Sequence, residues 1–176
     1  PPQEGLVRHF HAIADATDLP MITYDIPKRT GTAIELETMI RIAEHPRIVA
    51  NKDAKGDLFA AQQVMSRCEL VYYSGDDAMN LPLVAVGAVG AVSVTGHLVA
   101  DRILATILAY ESGDVALSRE LNDELVPVTD PDAARQALAA ALADSARGVQ
   151  AAVQDVRQTG GSEIEQDRIV DEAAAT

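Results

Sequence analysis

The sequence predicts an α/β fold with a parallel sheet, specifically part of a (β/α)8 TIM barrel, on three observations. Short strand-like apolar runs alternate with amphipathic helical stretches at intervals of roughly 20 to 30 residues, the pattern of repeated βα units. No glycine-rich phosphate fingerprint follows any of the strands, which disfavours a nucleotide-binding doubly wound sheet. The chain has 176 residues, whereas an eight-fold barrel typically needs about 250. The expected architecture is about four βα units followed by C-terminal helices.

Each element has its own signal. Residues 3–16 place Leu6, Phe10, Ile13 and Ala14 on one helical stripe. Leu19–Ile26 then reads as a buried strand. Ile34–His45 repeats apolar residues at 36, 39, 40 and 43 before Pro46 stops it, and Ile48–Asp53 is the second strand. Asp57–Cys68 is an amphipathic helix, Leu70–Ser74 the third strand, Leu81–Val86 a short helix and Ala91–Thr95 the fourth strand. Helices over His97–Tyr110 and Val115–Leu125 complete this region, 1–127, where the composition shifts. The segment 128–176 reads as an Ala-rich helical tail, with Asp130 as N-cap, Pro131 at the first helical position, and Leu138, Leu142, Val149, Val153 and Val156 at helical spacing. Gly160 and Gly161 are its expected stop, and Ser162 with Glu165 a capping box for a last short helix.

Charge and composition exclude several classes of function. Fourteen Lys plus Arg against 27 Asp plus Glu give a net charge of −13, and the basic residues form no run, so a nucleic-acid partner is not expected. No apolar run approaches the roughly 20 residues of a membrane span. The single cysteine, Cys68, excludes an internal disulfide framework and fits a reducing compartment, with the cytoplasm expected. The opening Pro-Pro-Gln-Glu, without Met or a leader, reads as a piece of something longer.

Lys52 is the most informative residue. It is one of three lysines and stands near the end of an apolar strand, in phase with Ile48 and Ala50. At that place in a barrel a lysine projects from the C-terminal mouth, where active sites of this architecture lie. Desolvation there would favour the free amine that attacks a ketone and forms a Schiff base; the plainer alternative is a lysine snorkelling off a strand end. Tyr24 occupies the corresponding place one βα unit earlier. With adjacent strands about 4.8 Å apart, its hydroxyl and the Lys52 amine are expected to meet, a pairing suited to general acid–base work. A strand-end tyrosine can also be a simple anchoring aromatic. Arg29, between Pro27 and Gly31, offers a planar fork suited to a carboxylate. Asp76 and Asp77 lack ligand-spaced His or Cys, so no metal is expected. His9 and His11 read as surface helix residues, and His97 as a residue satisfying backbone groups after the last strand.

The motifs YDIPKRTG (24–31), IVANKDAKGD (48–57) and YYSGDDAMNLPLVAVGAVGAVSVTGHL (72–98) resemble dihydrodipicolinate synthase, the pyruvate-dependent Schiff-base aldolase of lysine and diaminopimelate biosynthesis, over about residues 1–125. The resemblance implies a (β/α)8 barrel that condenses pyruvate with aspartate semialdehyde, of which this chain would hold the C-terminal half and be inactive alone. It implies Lys52 as the Schiff-base lysine and Tyr24 as the proton donor and acceptor. Arg29 would hold the semialdehyde carboxylate, Gly75 would lie beside that substrate, and Val92 would contact pyruvate through its backbone. It further implies a homo-oligomer, commonly a tetramer, and no cofactor beyond the covalent imine. Sialate and keto-deoxy sugar-acid lyases are the neighbouring alternatives, from which Arg29 distinguishes it; a non-catalytic half barrel is the alternative of another class.

Overall fold

The computed structural model describes residues 1–130 together with 132, 143, 146–148, 150–152 and 154–155. The chain divides into two units, Pro1–Thr129 and Asp130–Thr176.

In the first unit four strands form one sheet in the order β1-β2-β3-β4, all pairs parallel. They are β1 (Met21–Asp25), β2 (Ile48–Asp53), β3 (Val71–Ser74) and β4 (Gly90–Ala91). The helices α1 (Gln3–Asp15), α2 (Pro27–Thr30), α3 (Leu36–Ala43), α4 (Leu58–Met65), α5 (Asn80–Ala85), α6 (Gly96–Glu111) and α7 (Val115–Thr129) fall between and after them, with a single 3-10 turn at Asp77–Met79. Consecutive βα units with neighbouring parallel strands are the topology of a partial (β/α)8 barrel.

One face of the sheet packs on helices. Val7, Ala14, Met39, Ile42, Ile48, Ala61, Val64, Tyr72 and Leu83 form its core. A second cluster, Val84, Ile103, Ile107 and Leu125, joins α5, α6 and α7. Asp57 caps α4 by accepting the Ala60 N–H at 2.9 Å, as its position before an apolar stretch dictates.

Several details differ from the sequence reading. Ile13, expected on the buried stripe of α1, is 43% exposed and Val7 takes the inward place. The β1–β2 register shifts so that Met21 pairs with Ile48 and Ile22 with Ala50. Val49 is thereby left over as a bulge, Ile48 joins the helix-side core, and Ile48 is not in phase with Lys52. β4 ends at Ala91 rather than Thr95, because the following backbone is drawn to Asp77. Residues 27–30 form a single helical turn, closed by Gly31 at φ 73°, a conformation natural to glycine. α6 breaks its helical geometry at Val99. α7 runs through Pro127 to Thr129; a proline near a helix end removes one hydrogen bond, and Leu121 and Leu125 remain buried.

In the second unit the described residues 132, 143, 146–148, 150–152 and 154–155 are helical, and Asp130 Oδ1 accepts the Asp132 N–H at 2.9 Å. The expected stop at Gly160–Gly161 and the cap at Ser162 lie outside the described residues. Among the described residues no helix is long and apolar enough to cross a membrane.

Candidate active site

Strand pairing places three side chains in a row: Tyr24 is the register partner of Lys52, and Lys52 of Tyr73. Paired residues on parallel strands point to the same face. Their alternates Thr23, Asp25, Asn51, Asp53, Tyr72 and Ser74 are buried on the helix side, so the row faces the open side of the sheet at the C-terminal strand ends. Lys52 is half-buried there.

The Lys52 Nζ lies 4.2 Å from the centroid of the Tyr24 ring. This corrects the expected hydroxyl-to-amine pairing: the cation stands over the ring face, where the aromatic quadrupole attracts it. The contact brings the two predicted residues together through a different part of the tyrosine.

Gly75 follows β3 and donates its N–H to the Asp53 carbonyl at 2.7 Å. A Cβ at this position would stand 2.7 Å from both Cγ and Cε of Lys52. The missing side chain of Gly75 is therefore the space that the lysine stem occupies. Val92 donates its N–H to the Ser74 carbonyl at 2.8 Å, extending the β3–β4 ladder by one residue. Arg29 is exposed on α2 and, among the described residues, its guanidinium has no ion pair; the structure does not join it to Lys52. The neighbouring Lys28 reaches toward the loop after β3, its Nζ 3.7 Å from Asp76 Oδ2.

Two features escaped the sequence reading. The first is Asp77, whose carboxylate accepts the N–H groups of Val94 at 3.1 Å and Thr95 at 2.9 Å and the Asn80 amide at 3.3 Å. Burial pushes this carboxyl up, but hydrogen bonds from Ser93, Thr95, Asn80 and Val94 outweigh it and hold it below the ordinary carboxylate value. Asp77 thus clamps the loop that follows Val92, and Asp76 caps the 3-10 turn through Ala78. Among the described residues no group of three or more His, Cys, Asp or Glu could hold a metal ion. His97, expected to satisfy backbone groups, is exposed, whereas His11 on α1 lies 3.1 Å from the Arg41 carbonyl through Nε2.

The second feature is a polar layer directly behind the row. Thr23 donates to Asn51 Oδ1 at 2.8 Å. Asp25 Oδ2 lies 2.9 Å from Lys55 Nζ, with Asp25 1% and Lys55 18% exposed at the side chain. Burial, above all, raises the Asp53 carboxyl, while the backbone N–H and charge of Lys55 oppose the rise and Asp25 and Asp57 add to it. Burial also pushes the Tyr72 phenol upward, with Asp53 next in effect.

A parallel βα sheet carrying its singular residues at the C-terminal strand ends is the arrangement of (β/α)8 barrel enzymes. The family model described as "Dihydrodipicolinate synthetase family" matches residues 1–158. The chain is 58% identical over 128 residues to 4-hydroxy-tetrahydrodipicolinate synthase 2 of Streptomyces coelicolor, covering 73% of this chain and 43% of that protein. It is 55% identical over 129 residues to the 4-hydroxy-tetrahydrodipicolinate synthase of Mycolicibacterium gilvum, covering the same shares. Among solved structures, dihydrodipicolinate synthase DapA-2 of Bacillus anthracis superposes with a TM-score of 0.72 at 39% identity, over 74% of this chain and 45% of that one. The chain belongs to the dihydrodipicolinate synthetase family. It spans less than half the length of the curated relatives it matches.

Proposed function

We propose that this chain carries the Schiff-base half of a pyruvate-dependent synthase that condenses pyruvate with aspartate semialdehyde. The carrying observation is the Tyr24–Lys52 register pair, with Nζ 4.2 Å from the ring centroid at adjacent strand ends. The Lys52 amine attacks the pyruvate ketone, the carbinolamine loses water, and the resulting imine draws electrons from the methyl carbon. Loss of a proton there gives an enamine that adds to the aldehyde carbon, and water then releases the lysine. Tyr24 moves the protons. Arg29 holds the semialdehyde carboxylate as a bidentate partner, Gly75 lies beside that substrate, and the Val92 carbonyl contacts pyruvate. The covalent imine meets the demand for an electron sink, so no metal or other cofactor is invoked. The working enzyme is a cytoplasmic homo-oligomer.

We read the four-stranded sheet as a barrel part whose pocket needs further strands. Parallel sheets are ordinarily covered on both faces, yet here Ile22 is 54% exposed and Val71 39%. The test is reduction with borohydride in the presence of pyruvate, applied to this chain alone and to this chain supplied with the part of the Streptomyces coelicolor relative that it does not span. The completed barrel should be labelled, Lys52→Ala should not, and the chain alone should label weakly. Arg29→Ala should leave labelling intact while abolishing use of the semialdehyde. An unlabelled completed barrel would overturn the reading in favour of a non-catalytic half barrel, and labelling without any role for Arg29 would favour a different aldehyde.

A further inference from the structure

We propose that the buried Asp25–Lys55 pair is a positioning device: it locks the ends of β1 and β2 together from the helix side and so holds Tyr24 over Lys52 on the other. This rests on the reading of Tyr24 and Lys52 as the reacting pair, which neither Asp25 nor Lys55 joins directly.

The connections form a closed ring. Asp25 Oδ1 accepts the Ile34 N–H at 3.2 Å, Lys55 Nζ donates to the Ile34 carbonyl at 2.9 Å, and the same Nζ lies 2.9 Å from Asp25 Oδ2. Backbone links reinforce it. The Asp25 carbonyl accepts the Ala54 N–H at 2.9 Å, and Asp53 Oδ1 accepts the Lys55 N–H at 2.9 Å. Asp25 directly follows Tyr24, and Lys55 lies three residues after Lys52, so the Asp25–Lys55 and Asp25–Ala54 links tie together the two segments that carry the site side chains. Asp25 Oδ2 has no hydrogen bond among the described residues and depends on the ammonium for compensation; a lone buried carboxylate would move toward water and take the end of β1 with it.

The open face is intolerant of such movement. The Lys52 stem lies in the space left by Gly75 on one side, while its Nζ meets the Tyr24 ring. A shift of β1 against β2 by about 1 Å separates the amine from the phenol, a displacement large enough to matter for reacting groups. Asp25 and Lys55 are positioning residues in this account, not catalytic ones.

Proton NMR on the chain itself reads the geometry without any catalysis. The Lys52 εCH2 protons, held over an aromatic face, should resonate upfield, and Tyr24→Leu supplies the unshifted reference. In Lys55→Met the displacement should collapse to that reference while resonances of α6 and α7 persist; Lys55→Arg, which keeps a cation, should retain it. Should Lys55→Met fail to fold, Asp25→Asn/Lys55→Met, which leaves no lone carboxylate, gives the same reading. Full retention of the upfield displacement in either folded variant would overturn the proposal. Failure of pyruvate to label Lys52 would overturn the functional reading and leave this geometric result standing.

Discussion

The two faces of the sheet are built on opposite principles. Toward the helices, Thr23, Asp25, Asn51, Asp53 and Ser74 are polar yet no more than 2% exposed, and they are tied to one another, to Lys55 and to loop backbone. Toward the open side, apolar Ile22 and Val71 remain exposed, and Lys52 lies between the Tyr24 ring face and the space left by Gly75. Buried polar groups must be satisfied, so the first face fixes the strand ends rigidly. The second face, on the proposed reading, is the one that receives ligand. On that reading, chemistry on one side depends on rigidity supplied from the other.

The comparison can be broken most severely at the buried pair. Lys55→Met should destabilise the first unit by about 3 to 5 kcal/mol, the cost of leaving one member of a buried pair uncompensated, as measured by urea unfolding followed by circular dichroism. Truncating the exposed Arg29 should change stability negligibly in the same assay.

Gly75→Ala strikes the open face instead. The new methyl overlaps the Lys52 stem, and the lysine must leave its place over Tyr24. The rate of imine trapping in the completed barrel should fall by about a hundredfold, the scale of an ångström misplacement of a reacting group. Midpoints of urea unfolding should move far less than for Lys55→Met.

Asp77→Asn should cost about 1 to 3 kcal/mol, because two backbone donors and an amide lose an anionic acceptor. The folded-state value of Asp77 lies below its ordinary 3.8. Its stabilisation is therefore complete above that ordinary value and is lost as pH falls through the lower folded one. Denaturant midpoints for parent and variant should converge as the medium is acidified below about pH 4.

Asp53 sharpens the contrast with the opposite sign and the smallest effect. Its folded value is raised above 3.8, so the folded state holds this proton more tightly and stability declines as pH rises from the ordinary value through the raised one. Asp53→Asn keeps an acceptor for the Lys55 N–H and should remove that decline, visible as a flatter unfolding midpoint across the weakly acidic range.

Much of this arrangement was legible in the chain. The alternation of short apolar runs with stretches of helical period located the four strands of the first unit, and the positions of Lys52 and Tyr24 within motifs separated by one βα unit placed them side by side. What stayed hidden depends on contacts between distant segments. The bulge at Val49 shifts the register of β2 against β1, which a strictly alternating reading cannot anticipate. β4 ended early because Asp77, far back in the chain, captures the N–H groups of Val94 and Thr95. Lys55 drew no reading of its own, because its partner Asp25 is 30 residues away in the chain. The contact of Lys52 with the ring face instead of the hydroxyl is a matter of rotamers, to which residue spacing is blind.

The central claim is that Lys52, and neither of the other two lysines, is the amine that bonds to pyruvate. Peptide mapping of the borohydride-reduced adduct in the completed barrel tests it most directly. The three-carbon modification should fall on the peptide containing Lys52; finding it on Lys28 or Lys55 would contradict the account.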